Sequence, residues 1–162
     1  MISQKAKYAL RALMALARAE DSLVIAEIAE GQSIPKKFLE QILLDLKRHG
    51  VIQSQRGRFG GYRLLRPASE ITFGQILRLM DGPIAPLPCL SRIAYRRCQD
   101  CVDEASCEIR RVFALVADSA RQVFDRTTIA DAIAGGLSPL PAESDSAEVL
   151  SPLPIVEPTH GA

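Results

Sequence analysis

Four cysteines are the residues of this chain best suited to chemistry, and all of them lie between positions 89 and 107. They follow the pattern C-x8-C-x2-C-x5-C. Cysteine thiolates bind iron–sulfur clusters and zinc well, and four of them could complete the coordination of either. The spacing alone leaves three uses open: an iron–sulfur cluster, a zinc ion, and a thiol or disulfide switch. The candidate ligands are Cys89, Cys98, Cys101 and Cys107.

Three arginines give the same segment a positive character. Arg92, Arg96 and Arg97 are expected to offset the charge of a sulfur-bound centre and to favour thiolate over thiol. The segment has no histidine, because His49 and His160 fall elsewhere. Neither histidine has a plausible nucleophile and acid arranged around it, so we do not expect an enzyme.

The composition sets the outer limits of the interpretation. The 162 residues are 48% hydrophobic and 24% charged, which suits one ordinary domain or a small domain with an appended helix and tail. No apolar run is long enough for a membrane span, and the N-terminus lacks the apolar centre of a secretory signal. The expected compartment is the cytoplasm, where thiols stay reduced and clustered cysteines bind metal or sense redox state.

The net charge of +1 hides an asymmetry along the chain. All 20 lysines and arginines lie at or before Arg126, whereas five of the 19 acidic residues follow it. The first 126 residues therefore carry a net charge of +6. This is the sign that a nucleic-acid partner requires, although a merely soluble surface with an acidic tail remains an alternative.

A helix-turn-helix is predicted in the N-terminal part of the chain. Apolar residues at helical spacing predict helices over about 3–19, 24–30 and 35–48. Gly31 is expected to end the second helix with a positive φ, and Ser33 to cap the third. The cationic face of the first helix is interpreted mostly as a solvated surface; it carries Lys5, Lys7, Arg11 and Arg18.

The third helix is the candidate recognition helix. Its predicted buried stripe consists of Leu39, Ile42, Leu43 and Leu46. The opposite face would meet the major groove of DNA if this helix reads bases, and the alternative is an ordinary amphipathic helix in water. The candidate DNA contacts of this helix are Lys36, Lys37, Glu40, Gln41 and Arg48, with Leu44 on the same face.

A β-hairpin is predicted directly after that helix. Residues 51–54 and 62–65 read as short strands, with glycines at the tip between them. A hairpin in this place is the wing of a winged helix. It carries four arginines and no acid, which suits phosphates or a narrow minor groove better than a protein contact. The arginines are Arg56, Arg58, Arg63 and Arg66.

The fold class is therefore mainly α with a small β-hairpin wing, followed by a long C-terminal helix. We expect a winged helix-turn-helix over 1–82, a cysteine-rich loop over 83–108, a dimerisation helix with a short terminal helix over 105–134, and a disordered tail over 137–162. The long helix carries more apolar surface than the core of a single chain can cover, so we expect a second copy of the chain to pack against it. That stripe comprises Ile109, Val112, Phe113, Val116, Ala120, Val123 and Phe124.

Three sequence pieces together resemble the Rrf-type (IscR/NsrR/RirA-like) family of winged-helix transcriptional regulators. They are LEQIL in the third helix, RGRFGGYRL in the wing, and the cysteine loop before a long helix, and the resemblance spans about 1–133. The resemblance implies a homodimer whose cysteine loop holds a 2Fe-2S or 4Fe-4S cluster. It also implies that Glu40 and Gln41 lie at the major groove and that Arg56 and Arg58 approach the minor groove. A carboxylate such as Glu40 would accept from a cytosine amino group.

The chain departs from this family in two places. Cys98 is an additional thiol, and the histidine or N-terminal aspartate that some relatives use as a ligand is absent, with Lys7 near the latter position. This favours ligation by four cysteines. The wing has Arg58-Phe59 where relatives commonly show Pro-Gly.

The predicted function is a cytoplasmic, homodimeric DNA-binding regulator, in the simplest case a repressor. It would bind a palindromic operator and sense iron, oxygen, nitric oxide or redox state through its cysteines. A zinc-binding or thiol-switch repressor is the alternative within this class. A small iron–sulfur electron carrier is the alternative from another class, although the arginine-rich wing has no role in it.

Overall fold

The computed structural model describes residues 2–57 and 60–136, and within them it has six α-helices and one antiparallel hairpin. The predicted mainly helical fold with a hairpin is confirmed. No helix in this part of the chain is long and apolar enough to cross a membrane. In chain order the elements are α1 (Gln4–Arg18), α2 (Ile25–Gly31), α3 (Lys36–Arg48), β1 (Ile52–Gln55), β2 (Gly61–Leu64), α4 (Phe73–Asp81), α5 (Glu108–Arg126) and α6 (Ile129–Ala134).

One apolar core joins the helices of the helix-turn-helix to α4 and α6. The side chain of Ser3 caps α1 by accepting a hydrogen bond from the amide of Ala6 at 3.0 Å, which satisfies one free amide of the first turn. The predicted buried stripe of α3 is confirmed, because all four of its members are fully buried. These four are Leu39, Ile42, Leu43 and Leu46.

The turn between α2 and α3 differs from its prediction. Gly31 is the last residue of α2 and has no positive φ, whereas Ser33 adopts a φ of 50°. Ser33 therefore makes the sharp turn and does not cap α3, which has Pro35 at its N-cap without a side-chain hydrogen bond. The turn closes through the amide of Ile34, which donates to the carbonyl of Ala29 at 2.8 Å.

The hairpin forms within one residue of its predicted position. Its register pairs Ile52 with Leu64 and Gln55 with Gly61. Residue Leu23, between α1 and α2, exchanges two backbone hydrogen bonds with Tyr62, at 3.0 and 2.8 Å. A Cβ at Gly61 would lie 2.6 Å from the Leu23 carbonyl oxygen, so this close approach requires glycine.

The helices α4 and α6 connect the long α5 to the core. Thr72 caps α4, since its hydroxyl accepts a hydrogen bond from the amide of Gln75 at 3.2 Å. Thr72 also forms a β-bridge with Thr128, which caps α6. Ile129 is fully buried in the core that α1 dominates. The C-terminal end of α5 is thereby fixed to the helix-turn-helix core.

Most of the apolar stripe predicted on α5 is exposed in the single chain. The exposed fractions are 63% for Ile109, 60% for Val112 and 54% for Val116. Only Ala117 of this helix is buried. The predicted disordered tail, 137–162, lies outside the described residues.

Candidate DNA interface and cysteine site

The outer face of α3 is polar and exposed to solvent. The side chains predicted to contact DNA from this helix are all exposed, as is the leucine between them. Lysine and arginine dominate the face, with one carboxylate and one amide, so it can meet both phosphates and base edges. The exposed residues are Lys36, Lys37, Glu40, Gln41, Leu44 and Arg48.

Two polar contacts orient α3, and the sequence indicated neither of them. Lys5 of α1 forms an ion pair with Asp45 of α3 at 2.8 Å, so Lys5 is an exception to the mostly solvated cationic face. The hydrogen bond from Lys5 lowers the pKa of the Asp45 carboxyl. Two residues further on, the Lys47 ammonium donates to the Ser54 hydroxyl of β1 at 2.6 Å. The candidate recognition helix is therefore fixed to α1 and to the hairpin.

A third contact uses one of the candidate DNA residues. Gln41 donates from its side-chain amide to the same Asp45 carboxylate at 3.3 Å. This bond leaves the side-chain carbonyl of Gln41 available, and it holds the side chain along the helix.

The wing arginines have different positions. Arg56 directly follows β1 and Arg63 lies on β2, and both side chains are exposed. Arg66 follows the hairpin and is half-buried. Arg58 lies outside the described residues, so its predicted contact with DNA stays a prediction.

The first two cysteines of the 89–107 segment are neighbours in space. Cys89 lies in the 3₁₀ turn Pro88–Leu90 and is 6% exposed. Loss of water around Cys98 raises the pKa of its thiol, and a hydrogen bond with the Cys89 side chain raises this pKa further. Cys101 stays near because its amide donates to the carbonyl of Cys98 at 3.4 Å.

Cys107 has a separate position at the start of α5. Its sulfur is the N-cap acceptor of that helix, 3.4 Å from the amide of Arg110. Among the described residues, no three His, Cys, Asp or Glu side chains are arranged to hold a metal ion. Four soft sulfur donors nevertheless suit iron–sulfur clusters and zinc in kind. The donor set fits such a group in kind.

The predicted effect of the nearby arginines on the thiols is wrong for Cys98, whose pKa is raised. Arg92 forms an ion pair with Asp118 at 3.3 Å. Arg97 donates to the carbonyl oxygens of Cys101 and Val102, both at 3.0 Å. These two guanidinium groups bind carboxylate and carbonyl oxygens, and Arg97 thereby closes the loop around Cys101.

The turn that holds Cys89 is anchored to α5. Arg121 of α5 donates to the carbonyl oxygen of Leu90 at 2.6 Å. Its other terminal nitrogen lies 2.7 Å from Asp118, which orients the guanidinium. The Arg121 side chain is largely buried. A shift of the Cys89 turn therefore acts on α5 through this contact.

The same helix is anchored to α4 one turn further on. Arg78 donates two hydrogen bonds to Asp125 of α5, at 2.6 and 2.8 Å. Their hydrogen bond lowers the pKa of Asp125 and raises that of Arg78. The space for the carboxylate exists because residue 74 is glycine, where a Cβ would lie 2.0 Å from Asp125 Oδ1.

Comparison with known proteins identifies the type of protein that has this architecture. A family model described as an iron-dependent transcriptional regulator matches residues 2–135. The chain belongs to the Rrf2 family. It is 51% identical over 141 residues to the HTH-type transcriptional regulator rrf2-like of Rhodobacter capsulatus, a match that covers 84% of this chain and 94% of that protein.

Two solved structures of regulators resemble this Rrf2-family chain. That of CymR, the global cysteine regulator of B. subtilis, has a TM-score of 0.70 at 29% identity and covers 83% of this chain and 97% of that chain. That of IscR from T. potens has a TM-score of 0.66 at 27% identity and covers 83% of this chain and 87% of that chain. The predicted winged-helix fold and the predicted class, a transcriptional regulator that is not an enzyme, are confirmed.

Proposed function

We propose that this Rrf2-family regulator is a homodimeric repressor of the cytoplasm. It binds a palindromic operator, and it senses iron, redox state or nitric oxide through an iron–sulfur cluster held by Cys89, Cys98, Cys101 and Cys107. The observation that carries the proposal is the anchoring of the Cys89 turn to α5 by Arg121, because α5 is in turn joined to the DNA-binding core.

The exposed face of α5 supports the homodimer. Val112, Leu115 and Val116 are each more than half exposed in the single chain. A contiguous apolar face on a long helix marks an interaction surface. A second copy related by a two-fold axis would cover this face with its own α5, and the two recognition helices would then address two half-sites.

The DNA contacts divide into two kinds. From α3, Glu40 and Gln41 would address base edges, while Lys36, Lys37 and Arg48 would neutralise phosphates. From the wing, three arginines would follow the backbone or enter the minor groove. These are Arg56, Arg58 and Arg63.

The cysteine segment supplies the sensor in this proposal. A bound cluster would supply a centre that iron availability, oxidants or nitric oxide can alter. Cys107 is the N-cap of α5 and accepts a hydrogen bond from the amide of Arg110, so its ligation would act directly on the first turn of α5. The turn of Cys89 is held by Arg121 on the same helix. Gathering the four thiols therefore acts on α5 at two points.

The movement can reach the DNA-binding core through the far end of α5. Asp125 is held by Arg78 of α4, and the Thr72–Thr128 bridge joins the same two regions by backbone. Since two copies meet along α5, a small change at this helix alters the spacing of the two recognition helices. Binding to a palindrome depends on that spacing.

A thiol switch is the second candidate, with Cys89 and Cys98 as its pair because the Cys89 side chain acts on the pKa of the Cys98 thiol. Two thiols that already interact could be oxidised to a disulfide, with two electrons and two protons passing to an oxidant such as a peroxide. Zinc held by the cysteines is a variant of the same class. The electron-carrier alternative has no support, because the family and its relatives are transcriptional regulators.

Protein purified without oxygen separates these candidates. An iron–sulfur protein will show visible absorbance together with iron and acid-labile sulfide, and replacing Cys98, Cys101 or Cys107 with alanine will remove them. Colourless protein that contains zinc would support the zinc variant. Colourless, metal-free protein whose Cys89 and Cys98 form a disulfide on oxidation would overturn the cluster proposal in favour of the thiol switch.

A further inference from the structure

Leu44 is an apolar side chain in the middle of the polar outer face of α3. It is 40% exposed, whereas the four apolar residues of the opposite stripe are fully buried. Phe38, the other exposed apolar residue of this helix, packs edge-to-face on Tyr8 with ring centroids 5.8 Å apart. Single exposed leucines are common on protein surfaces, so the exposure of Leu44 alone indicates nothing. What distinguishes Leu44 is its position on the helix.

That position lies within the row of candidate DNA contacts. Leu44 follows Gln41 by three residues and Glu40 by four, and side chains at these spacings are neighbours on a helix. Lys37 and Arg48 lie at the two ends of the same row, and both are exposed. The phosphate-binding charges that bring this face to DNA therefore flank the leucine on both sides.

Contacts on either side of this row fix the orientation of α3 and therefore the direction in which the row faces. The Lys5–Asp45 ion pair holds α3 to α1, and the Lys47–Ser54 hydrogen bond holds it to β1. Neither contact involves Leu44. Leu44 lies about 6 Å further along the helix axis than Glu40. This distance is shorter than two base-pair steps of DNA, so the two side chains would face the same base pair or nearby ones.

The major groove offers one apolar group at its base edges, the 5-methyl of thymine. Opposite any other base, a leucine would cover polar donors and acceptors without satisfying them. We propose that Leu44 is a specificity-determining residue that contacts the 5-methyl group of one thymine in each operator half-site. This inference rests on the proposed function, since it requires that α3 reads the major groove.

Deoxyuridine tests the contact because it differs from thymidine only by this methyl group. The intact protein is first used to select duplexes from a random pool. Each thymine of the selected operator is then replaced by deoxyuridine, one position at a time in both half-sites. We expect the substitution to matter at one position, within two base pairs of the pair that Glu40 reads. There it should lower the affinity about fourfold per half-site, which is the factor for burying one methyl group.

The matched variants assign the effect to a residue. Leu44→Ala should bind the thymine operator more weakly and lose its sensitivity to deoxyuridine at that position, while Leu44→Met should retain part of it. Glu40→Gln, the control, should keep the methyl sensitivity and relax selectivity at a different base pair.

The outcomes distinguish this inference from the proposed function. If no duplex is enriched, both are overturned. If an operator is selected but every deoxyuridine substitution leaves the affinity unchanged, or if Leu44→Ala keeps the full sensitivity, the role of Leu44 is overturned and the proposed function stands.

Discussion

Arg78 and Asp125, 47 residues apart in the sequence, are joined by two hydrogen bonds of 2.6 and 2.8 Å. One belongs to α4 and the other to the end of α5, so the pair connects the DNA-binding core to the helix that anchors the cysteine segment. A bidentate arginine–carboxylate pair is directional, and it fixes an angle as well as a distance. This pair is the part of the proposed coupling that single substitutions can test.

A double-mutant cycle measures the energy of this pair. We expect Asp125→Asn and Arg78→Met to show an interaction of about 0.5–1 kcal/mol in the free energy of unfolding, because solvent reaches both side chains. Their exposed fractions are 45% and 35%. Urea unfolding of the four proteins gives the value. Glu70→Gln, made in the wild type and in Arg78→Met, is the control. An interaction energy of zero between Arg78 and Asp125 would show that the pair does not stabilise the fold.

Acid should remove the contribution of Asp125. Its pKa is lowered in the folded protein by the hydrogen bond from Arg78, so its ionised form stabilises the fold at every pH above the ordinary carboxyl value of about 4. As the pH falls through the lowered folded-state pKa, that stabilisation is lost. The stability difference between wild type and Asp125→Asn should therefore be constant from pH 7 to 5 and shrink below pH 4. A difference that grows in acid would contradict the assignment.

Gly74 should show an effect whose sign depends on Asp125. Alanine is a better helix former than glycine by up to about 1 kcal/mol, but its Cβ would lie 2.0 Å from Asp125 Oδ1 and 2.9 Å from Arg78 Nη1. We expect Gly74→Ala to destabilise the wild type and to stabilise the Asp125→Ala variant. Thermal unfolding of the three variants checks this, and the same sign in both backgrounds would show that Gly74 makes no space for the carboxylate.

The exposed face of α5 should control assembly. A carboxylate at residue 116 would be buried against the second copy, at a cost that the apolar contact cannot offset. We therefore expect Val116→Glu to be monomeric and to bind operator DNA at least about tenfold more weakly. Gln4→Glu adds the same charge at an exposed position of α1, away from α5, and should stay dimeric. Light scattering after size exclusion decides, and a dimeric Val116→Glu would place the interface elsewhere.

Local patterns were sufficient for some elements and misleading for others. The buried stripe of α3 and the hairpin follow from side-chain periodicity, which depends only on near neighbours. The long helix was expected to begin near Ala105 but begins at Glu108. The reason is local as well: Asp103 accepts hydrogen bonds from the amides of Ala105 and Ser106, which gives the backbone an alternative to the helix.

The contacts that connect the site could not be predicted. Arg121 reaches Leu90 across 31 residues and Arg78 reaches Asp125 across 47. Hydrophobic periodicity says which face of a helix is buried, but not which polar side chains meet across the fold. For the same reason, the cationic segment around the cysteines was expected to favour thiolates. In the structure, Arg92 and Arg97 bind other oxygens.

The central claim is that the state of the cysteine segment sets the affinity for DNA. The most direct test measures the operator dissociation constant of anaerobically purified protein before and after removal of its metal, for wild type and for Cys98→Ala. We predict that the two wild-type values differ by about tenfold or more, a coupling of about 1.4 kcal/mol, and that the variant has one value under both conditions. Identical wild-type affinities in the two states, matched by the variant, would contradict the account.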